Sequence, residues 1–391
     1  MAPPPADRPA TSNRPFPAGK SPARLLSAVT AVLLAAAGLY VLARRIPWDK
    51  QPADFRIDGR SLVITTKGGR ELWRYDSRQP GLEGEDRYRR RFQNKATLNE
   101  PSGDRRVLPW LIIRDLDRDG KNEVLFVPVG EDGRDPGRLV FLEHDGRPVW
   151  EFEADPESPG GKACPADSRT LGVGVADFYK DAKPEVIFIS AAAPGSPARA
   201  VVLDLGMNVL GEYWNAGPLG DYQVVDLNRD EVPVLLLAGR NDDYGRPCLI
   251  ALDLRRMRGA SPASGDSLVA GKEPGTELFY VLFPLSAYDE LFRPGARADR
   301  VNLLAGERLD VVASPSGILF ELDFEFNFLT VVLSHGFERR HEDEFRAGRL
   351  RERYDEPRIW RDLAAGLGWY DRRAGAWSKT RTMSNPWPAG K

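Results

Sequence analysis

Three short acidic segments, each at a fixed distance ahead of an apolar strand, constrain this chain more than any other feature. Asp115-Leu-Asp-Arg-Asp-Gly-Lys-Asn-Glu123 leads into VLFVPV, and Asp177-Phe-Tyr-Lys-Asp-Ala-Lys-Pro-Glu185 leads into VIFIS. Asp226-Leu-Asn-Arg-Asp-Glu-Val-Pro-Val234 leads into LLLAG. From the first Asp of each to the next hairpin strand, at Leu139, Val201 and Ile250, the distance is 24 residues every time. A constant offset between segments of different sequence marks homologous positions in a repeated unit. A fourth, eroded copy is expected from Asn302 to Asp310, ahead of VVAS.

The strands after these loops repeat as well. Ser61 to Asp76 reads SLVITTKGGRELWRYD and Arg138 to Glu153 reads RLVFLEHDGRPVWEFE. Laid together without a gap, they share Leu-Val, a Gly-Arg turn, a tryptophan (Trp73, Trp150) and an aromatic two residues later (Tyr75, Phe152). Alternating apolar residues on either side of a tight Gly turn describe a β-hairpin. Further strands of this kind start at Val201, Leu249 and Ile318, the first continuing to Tyr213-Trp214. The three tryptophans read as packing between units.

Loop, strand, connection and hairpin make about four strands per unit, and such a unit cannot bury both faces alone. The expected fold class is therefore all-β: a β-propeller of about five to seven four-stranded blades, across residues 61–340. Residues 61–76 supply only half a blade, so strands from the far end are expected to complete it. The segment around Gly368 to Trp377 is the candidate closing hairpin within a charged C-terminal stretch, 341–391. Residues 259–300 read as an insertion, a sensible place for binding.

The Asp115 loop with its flanking strands resembles the FG-GAP/VCBS family of propeller repeats, and the Gly-Arg-x-x-Trp hairpins are similar to those of PQQ-like repeats. The resemblance spans roughly residues 61–335. It implies a calcium-bearing propeller used for adhesion or protein interaction.

Calcium takes six to eight oxygens, and a glycine lets a loop turn sharply around it. In the first copy Asp115, Asp117 and Asp119 stand at positions one, three and five. Gly120 makes the turn, the Lys121 carbonyl follows, and Glu123 closes the shell. The second copy keeps Asp177, Asp181 and Glu185 but has Tyr179 at position three and Ala182 for the glycine. The third keeps Asp226, Asn228 and Asp230, with Glu231 for the glycine and Val234 in place of the closing carboxylate. The alternative reading of all three is a solvated acidic turn whose aspartates cap backbone amides.

Leu25 to Ala43 holds nineteen residues without a charge. As a helix it spans roughly 28 Å, enough for a hydrocarbon core. Its length, and the arginines at 44 and 45, read as an uncleaved transmembrane anchor rather than a cleaved signal peptide. The proline-rich leader 1–24 is expected to be disordered and 44–60 to be a linker. Lysine and arginine nearly balance across the span, so the positive-inside rule does not decide orientation. A calcium loop suits a calcium-rich compartment, which places the leader inside and the long C-terminal region outside the cytoplasm.

Conventional catalytic motifs are missing. Only three histidines occur, and His341-Glu-Asp-Glu-Phe345 lacks the second histidine of a zinc-protease helix. No P-loop or GxSxG elbow is present. With 55 basic and 57 acidic residues, no global field attracts nucleic acid. Cys164 and Cys248 read as unpaired thiols, a disulfide being the alternative if this region is exported. The leading expectation is a non-catalytic module that binds a protein or glycan. A sensor or assembly subunit of a membrane complex and a degenerate quinoprotein-like enzyme stand as alternatives.

Overall fold

In the computed structural model the described residues are 50–93, 109–131, 137–153, 169–191, 196–227, 233–265 and 267–379. The predicted span 25–43 and its leader lie outside them, as does Cys164. Among the described residues no helix is long and apolar enough to cross a membrane.

The chain is all-β in its body, with five consecutive sheets among the described residues. The first holds β1 (Asp54–Asp58), β2 (Ser61–Thr65) and β3 (Glu71–Asp76). After a short helix α1 (Glu85–Arg90), the second holds β4 (Phe92–Gln93), β5 (Leu111–Arg114), β6 (Glu123–Phe126), β7 (Arg138–Leu142) and β8 (Pro148–Glu153). The third runs β9 (Arg169–Ala176), β10 (Glu185–Ala191), β11 (Ala198–Asp204) and β12 (Val209–Asn215). The fourth begins β13 (Leu219–Val225), β14 (Val234–Asn241), β15 (Arg246–Asp253) and β16 (Glu277–Leu282). A helix α2 (Ala287–Leu291) leads to the fifth, with β17 (Arg297–Leu304), β18 (Arg308–Ser314), β19 (Ile318–Asp323) and β20 (Phe328–Val332). Sequential strands pair antiparallel within each sheet, and only the two-residue β4 runs parallel to its neighbour.

Each sheet leans on the next through the residues that repeat in sequence. The Trp73 indole N–H, on β3, donates to the His144 carbonyl in the β7–β8 turn at 2.8 Å. Trp150, on β8, repeats the contact with Leu205 in the β11–β12 turn, also at 2.8 Å. Two residues on, the Tyr75 ring meets Phe126 and the Phe152 ring meets Phe188, both edge-on at about 6 Å. Trp73 and Trp150 therefore join sheets, as expected. Trp214 departs from them, packing on the connection after β15 with Ala260 and Val269.

The buried apolar residues follow the same sequence of contacts. One cluster joins the first sheet to the second and part of the third, through Leu62, Phe126 and Phe188. Another joins the third to the fourth, through Ile187, Leu235 and Tyr280. A further cluster joins the fourth to the fifth, through Val281, Phe320 and Leu363. Among the described residues none of these clusters joins the fifth sheet to the first.

Several expectations are corrected. β1 lies within the expected linker 44–60, because Asp-Phe-Arg-Ile-Asp alternates and buries Phe55 completely. The expected insertion 259–300 contributes strands to two of the sheets: β16 completes the four-stranded part of the fourth sheet and β17 opens the fifth. Only the connection after β15 makes an excursion. Asn302 to Asp310 is a plain hairpin in which Asn302 and Asp310 face each other across β17 and β18, joined by a short turn and not by an acidic loop. The C-terminal hairpin forms, as β21 (Gly368–Asp371) and β22 (Ala376–Ser378). It pairs with β16 at the edge of the fourth sheet, not with the first. The charged stretch before it folds as α3 (His335–Arg346) and α4 (Glu356–Gly366). His341 is buried there against Phe337 and Tyr354, which suits a core histidine and not a protease ligand.

Candidate metal centre

The three acidic segments occupy one position of the fold. Each joins two neighbouring antiparallel strands of its sheet, β5 to β6, β9 to β10 and β13 to β14, and each closes on the first residue of the latter strand. The register is Arg114 opposite Glu123, Ala176 opposite Glu185 and Val225 opposite Val234. The loop and the strand after it therefore recur, but the register matches Leu139 with Ala200 and Leu249, each one residue before Val201 and Ile250, so the 24-residue offset is not constant in the fold.

In the first loop the backbone is coiled around the carboxylates. Asp115 accepts the Gly120 amide at 3.1 Å, Asp117 that of Asp119 at 2.9 Å, and Asp119 that of Lys121 at 2.8 Å. Glu123 reaches back to the Leu116 amide at 2.8 Å. Arg118 and Gly120 take left-handed conformations at φ 67° and 86°, and only glycine takes such a φ at no cost. Carboxylate oxygens of Asp115, Asp117 and Glu123 then lie within 4.8 Å of one another.

This gathering is electrostatically unfavourable as it stands. Glu123 is 1% exposed, and its Oε1 has no hydrogen-bond partner. Asp115 Oδ1 is likewise buried without one. Burial chiefly, helped by Asp117 and Asp119 and opposed by the Leu116 amide, pushes the Glu123 carboxyl up to about 7. A divalent cation would reverse that balance, since it favours ionised oxygens that nothing else satisfies. The donor set is all carboxylate oxygen, which fits a hard cation such as calcium.

Asp119, expected at position five, is not among the gathered oxygens. Its carboxylate sits 3.2 Å from the Lys121 ammonium and is held below its ordinary range, first by the Lys121 backbone N–H. Lys121 was expected to offer its carbonyl; it contributes this ion pair.

The second loop has nearly the same shape without the glycine. Lys180 and Ala182 take φ 58° and 68°, matching Arg118 and Gly120, so the alanine accepts a strain of about 1 kcal/mol. Asp177 accepts the Asp181 and Ala182 amides, each at 3.1 Å, and Glu185 those of Phe178 and Tyr179 at 2.6 and 3.2 Å. Asp177, Asp181 and Glu185 are gathered within 4.8 Å, and burial raises the Glu185 carboxyl. Tyr179, in place of a ligand, donates to the Leu254 carbonyl at 3.1 Å and links the third sheet to the fourth. In the third loop Asp226 is exposed at the end of β13. Asn228 and Asp230 lie outside the described residues.

Two contacts fix the first loop to the start of the described chain. The Gln51 side-chain amide donates to the Gly120 carbonyl at 2.7 Å, and Asn122 donates to the Pro52 carbonyl at 2.8 Å. Sequence reasoning did not foresee this clamp, nor a neighbouring histidine and glutamate in the β7–β8 turn; neither is adjacent in sequence.

No protein-family model and no curated protein matches this chain. Among solved structures it is similar to a Bacteroides caccae protein of unknown function, at 10% identity and TM-score 0.31 over 73% of this chain and 74% of that one. It is also similar to the exotype rhamnogalacturonan lyase YesX, at 13% identity and TM-score 0.36 over 73% of this chain and 44% of the lyase. A third likeness is to the Dos1 propeller, at 10% identity and TM-score 0.29 over 71% of this chain and 66% of that one.

Proposed function

We propose that this chain is a membrane-anchored, extracytoplasmic β-propeller of the FG-GAP/VCBS type. In this reading calcium at the Asp115 loop stabilises a non-catalytic module that binds a protein or glycan. The observation that carries it is the pair of buried oxygens without partners, Asp115 Oδ1 and Glu123 Oε1, in a loop whose shape recurs in the next sheet. The propeller reading draws on the succession of four-stranded meanders, the common register of the loops and the tryptophan contacts from sheet to sheet. Asp115, Asp117 and Glu123 would hold the ion, which would neutralise them and fasten the loop to Gln51 and Pro52. Those residues follow closely on the predicted span 25–43, so the ion would stiffen the chain where it leaves the membrane.

Calcium that binds only the folded chain stabilises it by about 2.7 kcal/mol at a hundredfold excess over Kd. Chelation is therefore expected to lower the Tm of the full-length protein by several degrees, and Asp117→Ala to abolish that difference. Equal melting with calcium and with chelator would overturn the calcium reading. The anchor is tested separately: deletion of residues 25–43 should move the protein from the membrane fraction to the soluble one, and continued membrane retention would refute it.

A further inference from the structure

Glu123 also faces ligand atoms from outside the acidic loop. In the β7–β8 turn, Glu143 and His144 place a carboxylate oxygen and a ring nitrogen within 4.8 Å of each other and of Glu123. We propose that Glu123, Glu143 and His144 form a binding site for a divalent transition metal of the zinc type. It shares Glu123 with the calcium loop and takes its other two ligands from a different turn.

The ligand types differ from those of the acidic loop. An imidazole nitrogen with two carboxylates suits zinc and its neighbours, whereas calcium prefers oxygen throughout. Two of the atoms also lack partners. Glu123, almost wholly buried, has an unsatisfied Oε1, and the His144 Nδ1 atom is shielded from solvent with no hydrogen bond. A Glu143 oxygen lies 3.8 Å from that nitrogen, too far for a hydrogen bond. Glu143 is also met by Arg147, at 3.3 Å, a side chain that is 66% exposed and free to swing away.

The sibling sheets show what an ordinary residue does here. The positions matching Glu143 and His144 are Asp204 and Leu205 in the third sheet, and Asp253 and Leu254 in the fourth. Asp204 turns to Asn208, at 2.8 and 2.7 Å, and Asp253 caps the Arg255 amide at 3.0 Å. Both are occupied by their own turns, and the next residue is leucine. Only the second sheet has a longer carboxylate followed by a histidine, and there the neighbouring strand β6 opens with a glutamate whose Oε1 has no partner. Packing would be served by leucine, so the imidazole at this place calls for a ligand role.

The test is titration of the full-length protein with Zn²⁺, and separately with Co²⁺ followed by visible absorption, in wild type and in four variants. Wild type should bind one zinc that His144→Ala and Glu143→Gln each weaken at least tenfold, with the cobalt band lost. Asp117→Ala should leave zinc binding intact while removing the calcium effect on melting. Failure of the calcium reading would thus show in a different variant from failure of this one. His335→Ala controls for adventitious binding at an exposed histidine next to Glu338. Zinc binding that survives His144→Ala, or is lost in His335→Ala, overturns the proposal, as does the absence of binding in wild type. His144 lies in a turn with its side chain partly exposed, so an unchanged Tm for the metal-free variant is expected and confirms that it folds.

Discussion

Replacing Phe126 with alanine is expected to cost about 3–5 kcal/mol of stability, the range for deleting a large aromatic from a packed core. Phe126 is fully buried on β6, and it receives the Tyr75 ring from the first sheet at 6.2 Å and the Tyr88 ring from α1 at 5.7 Å. Removing it opens a cavity where the first sheet rests on the second. Phe126→Leu keeps most of that volume and should keep most of the stability. Urea denaturation of the three proteins measures the difference. Hydrogen exchange adds a spatial readout, because among the described residues the core clusters pass from sheet to sheet without one from the fifth back to the first. Exchange in the alanine variant should rise in β1–β3 and β5–β8 and stay near wild type in β17–β20. A uniform rise would mean that the sheets open as one cooperative unit. An effect below about 1 kcal/mol would refute the role given to Phe126.

What could be read from the sequence was what repeats. Trp73 and Trp150 align without a gap because each makes the same indole contact to the turn of the next sheet. The loops aligned because each closes at the same register on the strand that follows it, whereas the 24-residue offset did not hold, since Val124 to Leu142 spans one residue more than Val186 to Leu203 or Leu235 to Leu252. Features made once were harder to see. β1 is a single short strand with no copy in the alignment, so its alternation was lost in what looked like a linker. β16 follows a long connection and β17 lacks an acidic loop after it, so both read as part of an insertion. The C-terminal hairpin has the right local pattern, but hairpin signals do not choose a partner edge; that was decided by β16, whose outer edge was open. In the metal centre the ligands of one loop were legible from their spacing. The orientation of Asp119 was not, because Lys121 competes for it. Glu143 and His144 were missed because they reach Glu123 across a strand pair, and only the register brings them together.

Glu123 gives the site a pH dependence whose sign differs with and without calcium. In calcium-free protein its carboxyl titrates at about 7, against an ordinary value of 4.5, chiefly because burial disfavours the charged form. Between those two values the folded chain holds a proton that the unfolded chain has released. Stability must therefore fall as pH rises from 4.5 to about 7, and level off above it. Calcium requires the ionised carboxylate, so its binding expels that proton, and the stabilisation it gives grows over the same interval. Melting curves of decalcified and calcium-loaded protein should therefore converge near pH 5, separate up to about pH 7 and hold that gap above it. Glu123→Gln keeps the shape of the side chain and removes its charge. Without calcium it should melt higher than wild type above pH 7, and with calcium it should gain nothing. Glu185 is shifted in the same direction by its own burial, and it is present in both proteins, so the difference between them isolates Glu123. If wild type and Glu123→Gln gave parallel curves, Glu123 would be neither a strained buried acid nor the group through which calcium stabilises the fold. If the variant melted higher without calcium and still responded to the ion, the strain would be real, and the ion would be held by the aspartates alone.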